Sequence, residues 1–117
     1  MESSLFVHLF HIFFVGGLFV YFGITRTNNN KQVLQGLLYL GLFIVMYHMY
    51  KTYNYVVIGK NYWVNLIHIF FVGPLLMYIG YYGEKTSRLY FEILLMFGFA
   101  SMGYHSYYLF KDLVFSE

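Results

Sequence analysis

The 117-residue chain has no cysteine, one proline, and only seven basic and five acidic side chains. Without cysteine there is no disulfide and no thiolate ligand for a metal. Charged residues make up 10% of the chain, against about 25% in soluble proteins. That is too little polar surface to cover a soluble fold of this size. The net charge is only +2, and its basic residues are spread over several loops, which argues against a nucleic-acid partner. There is no Asn-x-Ser/Thr sequon and no lipidation signal. Ser-His-Asp arrangements, phosphate loops and paired carboxylates are missing too, which weighs against an enzyme with hydrolytic chemistry.

What the chain has in abundance is apolar sequence. Hydrophobic residues are 60% of it, with 14 Phe and 14 Tyr. Apolar runs fall at Leu5–Ile24, Val33–Tyr50, Tyr62–Tyr82 and Leu89–Phe110, each near the length of about 20 residues that a helix needs to cross a bilayer. The first run follows MESSLFVHLF, with Glu2 where a secretory signal has a basic residue. It reads as a mature transmembrane helix. Tyrosines gather near the span ends, where amphipathic rings sit at headgroup level. The expected fold is all-α: a single membrane domain over 1–117, an integral four-helix bundle. Its orientation is nearly balanced, with Lys51, Lys60 and Lys111 on one side and Arg26, Lys31, Lys85 and Arg88 on the other.

The hexapeptide HIFFVG occurs twice, at residues 11–16 and 68–73. A shift of 57 residues lays LFHIFFVGGLFVYFG (9–23) over LIHIFFVGPLLMYIG (66–80), with ten of fifteen positions identical. The match continues, placing Leu37, Gly41, Tyr47 and His48 over Leu94, Gly98, Tyr104 and His105. We read segments 9–50 and 66–107 as a tandem duplication of a two-helix unit. Each copy holds two spans, so both copies insert the same way up.

The duplication carries four histidines to one side of the membrane. His11 and His68 open spans one and three, and His48 and His105 close spans two and four. Leu37, Gly41 and His48 share a helix stripe, as do Leu94, Gly98 and His105. Gly16, Gly41, Gly73 and Gly98 are the candidate close-packing positions, because small residues let membrane helices approach. Four inward imidazoles can hold zinc, copper or a haem (haem b), or relay protons. Tyr47 and Tyr104 stand beside their histidines as supporting phenols. The bland reading stands next to this: polar histidines that hydrogen-bond a neighbouring helix or reach the headgroups, with no cofactor. His8 matches Asn65 rather than another histidine, so it reads as an interfacial polar residue.

Four further residues are weighed in the same way. Glu92 lies four residues after Arg88, a helical ion-pair spacing, and its counterpart is Gln35, four after Lys31. Pro74, which replaces Gly17, is expected to bend span three. Met46 and Met49 flank His48 and keep copper in view.

The phrases WVNLIHIFFVGPLLMYIG (63–80) and YFEILLMFGFASMGYHSYYLF (90–110) resemble small multi-span membrane proteins encoded by large DNA viruses of algae and protists. The resemblance covers mainly the second copy, and it implies a virion or host membrane as the location. It implies no catalytic residues. Three readings follow: a membrane protein with a metal, haem or proton site at the four histidines; a structural component of a virion or other membrane assembly; or a small oligomeric ion channel. The lipid bilayer is the expected partner in each, with a homo-oligomer or larger assembly around it.

Overall fold

The computed structural model describes residues 2–115, with side chains from residue 5 onward. It is 90% helix with no strand among the described residues. There are four long helices: α1 (residues 2–25), α2 (Lys31–Ile58), α3 (residues 63–82) and α4 (Arg88–Phe115). A single 3₁₀ turn, Gly83–Lys85, follows α3. Three segments are long and apolar enough to cross a membrane: Leu5–Thr25, Lys31–Ile58 and Trp63–Lys85. α4 has the length, at 28 residues, but Glu92, Ser101, His105 and Ser106 dilute its apolar character. The expected fourth span is therefore a helix that falls short of the other three in apolarity.

Local chemistry explains the boundaries. Asn30 caps α2, its side chain accepting from the Val33 N–H at 2.8 Å. Ser87, 57 residues later, holds the start of α4 through the Leu89 N–H at 3.3 Å. α1 and α3 end in the same unusual turn, with φ 51° at Arg26 and φ 54° at Gly83. Glycine suits that conformation, and arginine bears it at a steric cost.

α2 runs eight residues past the expected end at Tyr50. Nothing in KTYNYVVI breaks a helix, and Gly59 supplies the left-handed stop at φ 76°. α1 and α3 each contain a π-helical segment, Phe10–Val15 and His68–Val72. Periodicity does not predict these segments. Pro74 is not their cause, since α1 has the same feature with Gly17 in that place. The proline instead sits in the first turn of the α-helical stretch Gly73–Tyr82, which extends directly from the π segment.

The chain packs as two compact units. One comprises residues 1–26 and 91–117, pairing α1 with nearly all of α4; the other comprises residues 27–90, pairing α2 with α3. Each pair takes one helix from each of the two matching segments. In the second unit a Cβ on Gly41 would lie 2.6 Å from the Gly73 carbonyl oxygen, and one on Gly80 would strike the Leu38 backbone. A Cβ on Gly73 would strike the Val45 side chain. In the first unit, Cβ atoms on Gly16 and Gly23 would lie 2.6 Å from Met102 Cγ and Leu95 Cβ, and one on Gly98 3.0 Å from Phe19 Cβ. All four glycines singled out in the sequence line these seams, and Gly23 and Gly80 join them. Buried around them are Phe19, Leu37, Leu76, Ile79, Phe91 and Leu94. Many large apolar side chains face outward, including Phe13, Phe43, Met46, Phe70 and Phe99. An outer surface this apolar suits lipid and does not suit water.

Changing Gly80 to alanine should cost about 1–3 kcal/mol, because the added methyl must push two backbones apart. Gly36, which has open space around its Cβ position, should tolerate alanine without loss. Helix content against rising denaturing-detergent fraction measures both; equal effects at the two sites would contradict the packed seam.

Candidate functional site

The histidines fall into two pairs, one inside each unit. In the first unit the His11 and His105 rings stack at 4.4 Å between centroids, with 27° between planes. In the second, His48 and His68 stack at 4.1 Å and 17°. His48 and His105 are buried, each 8% exposed, and His11 and His68 are partly covered.

The anchoring bonds also match. The His11 Nδ1–H donates to the Val7 carbonyl at 2.8 Å, and the His68 Nδ1–H to the Val64 carbonyl at 2.8 Å. Each of these carbonyls lies four residues earlier, in the α-helical turn that precedes the π segment. The hydroxyl of Ser101 donates to the His11 carbonyl at 3.3 Å, and that of Thr52 to the His48 carbonyl at 2.7 Å.

The second ring of each pair is held across the helix seam. The His48 Nδ1–H donates to Asn65 Oδ1 at 2.8 Å, and Asn65 is only 4% exposed. In the first unit His105 Nδ1 lies 2.9 Å from His8 Nδ1, so one ring donates and the other accepts. His8 Nε2 lies 3.5 Å from Asp112 Oδ2. That carboxylate favours the His8 tautomer with its proton on Nε2, leaving His8 Nδ1 to accept from the His105 Nδ1–H. In all four paired histidines the proton then sits on Nδ1, which places the lone pair on Nε2.

His8 is therefore not the incidental interfacial residue expected of it. It does for His105 what Asn65 does for His48. The sequence signal was present, since positions 8 and 65 are 57 apart. It was missed because the two residues differ in type while sharing an acceptor atom at similar reach. Tyr47 and Tyr104 meet their neighbouring imidazoles edge-on, at 5.3 and 5.1 Å. Met46 and Met49 are mostly exposed, at 61% and 56%, and so are turned outward and do not back His48.

The geometry bears on which chemistry is available. Two imidazoles holding one metal from opposite sides point nitrogen at nitrogen, each about 2.0 Å from the metal. The rings within a pair lie face to face instead, so neither pair is arranged as that sandwich. Among the described residues no three of His, Asp and Glu are placed to hold one metal ion. No family model, curated protein or solved structure matches the chain.

Replacing His8 by asparagine should preserve the first unit, because an amide oxygen at this position already serves the second. Replacing it by leucine strands the buried His105 N–H and should cost about 1–3 kcal/mol. Detergent unfolding of the two variants beside the parent chain measures this. If asparagine costs as much as leucine, the assigned role of His8 is wrong.

Proposed function

We propose that this is an integral membrane protein of four spans, built by tandem duplication of a two-helix unit, that binds protons at two histidine pairs near one membrane face. The duplication is supported by the 57-residue match, by identical turns at Arg26 and Gly83, and by π segments at corresponding places. The four-span reading rests on the matched lengths of α2 and α4, both 28 residues. The location is a membrane, and the resemblance in the second copy points to that of a virion or its host.

One observation carries the proton reading: the same stacked, tautomer-locked pair recurs in both units. Histidine is the side chain whose charge ordinarily changes between about pH 5 and 8. Two imidazolium rings about 4 Å apart repel by about 4 kcal/mol at an effective dielectric of 20. Within each pair, a proton on one ring therefore opposes a proton on the other. Protonating one ring makes its Nε2 a donor, which changes what that ring can bind without disturbing its Nδ1 anchor. The pair thus changes charge while its helix seam stays in place.

The experiment is nitrogen NMR on histidine-labelled protein in micelles between pH 8 and 5. The four paired histidines should take up two protons per chain, one for each stack. His68→Asn, which leaves His48 alone in its unit, should leave that unit's uptake at one. Uptake of four protons by the parent chain over this range would show four independent imidazoles and contradict the paired site.

A further inference from the structure

At the far end of the α2–α3 pair from its histidines, the start of α2 and the end of α3 enclose a cleft of about 540 Å³. Its walls carry Lys31, Gln35, Tyr81, Tyr82, Glu84 and Lys85. That volume lies in the range of about 300–1,000 Å³ for small-molecule sites. Seventeen residues separate Lys31 from His48 along α2, about 26 Å at the helical rise. This is close to the thickness of a bilayer's hydrocarbon, so the cleft opens at the headgroup level of the opposite leaflet.

Among the described residues, Lys31, Glu84 and Lys85 take part in no ion pair. The comparison with the other copy sharpens the point. There Arg88 is followed four residues later by Glu92, a spacing that allows a helical ion pair. Here Lys31 is followed by Gln35, which offers an amide and no countercharge. Two ammonium groups and one carboxylate give the cleft an excess of one positive charge.

We propose that this cleft binds the phosphodiester headgroup of an anionic membrane lipid, of the phosphatidylglycerol type. The single negative charge of the phosphodiester balances the excess of the cleft. Lys31 and Lys85 meet the phosphate oxygens as point charges, and Gln35 donates an amide N–H. Tyr81, which is largely exposed, lies along the glycerol and upper acyl region, where tyrosine is at home. Glu84 disfavours headgroups of higher charge. Basic pockets between membrane helices hold anionic headgroups in this way. The site stands apart from the histidine pairs and does not depend on their binding protons.

The test is native mass spectrometry of the full chain released from neutral detergent, with phosphatidylglycerol or phosphatidylcholine added. The parent chain should retain phosphatidylglycerol in preference to phosphatidylcholine. Lys31→Gln with Lys85→Gln should lower that retention about thirtyfold, and Glu84→Gln should hold it level or raise it. These side chains are exposed, and unchanged helix content and detergent resistance confirm that the variants fold. Equal retention of the two lipids, or undiminished retention by the double lysine variant, would overturn the proposal. Displacement of the lipid by millimolar inorganic phosphate would assign the cleft to a soluble anion and overturn the lipid assignment.

Discussion

A polar group inside hydrocarbon must find its partner within the protein, because no water is there to serve it. In this chain the imidazole N–H groups at the helix seams have such partners. His48 and His105 are buried at helix seams, and each has its Nδ1 bonded to a side chain on the neighbouring helix: Asn65 for one and His8 for the other. His11 and His68 answer the same demand locally, through carbonyls four residues earlier on their own helices. These bonds set which face of each helix turns inward and bring two rings into stacking distance. The chemistry of the pair follows from satisfying the donors.

The glycine seams make the arrangement possible. Backbones must come very close for rings on two helices to stack, and Gly41, Gly80, Gly23 and Gly98 permit it. Between helices in lipid there is little hydrophobic drive, so packing contact and seam hydrogen bonds carry the association. The lysine-lined cleft sits at the other end of the α2–α3 pair.

Much of this was readable from residues. Apolar runs located the helices, and the 57-residue match located the glycines that line the seams. Other features rest on three-dimensional facts that spacing does not carry. The equivalence of His8 and Asn65 depends on an acceptor atom common to two different side chains, which identity counting discards. The π segments follow from a one-residue shift in backbone pairing within an ordinary-looking apolar run. The extension of α2 to Ile58 was hidden by Lys51, Thr52 and Asn54, whose polarity ends an apolar span without ending a helix. The pairing of α1 with α4 and of α2 with α3 joins one helix from each matching segment. A match read along the chain gives no warning of that exchange.

The central claim is that a hydrogen bond between helices, from imidazole to acceptor, sets each seam. A double-mutant cycle at His48 and Asn65, read from unfolding in mixed detergent micelles, tests it most directly. The account predicts a coupling of about 1 kcal/mol, in the upper part of the range known for hydrogen bonds between membrane helices. It also predicts that His48→Ala removes most of the cost of Asn65→Ala. Strictly additive losses would contradict it, leaving the seam to glycine packing alone.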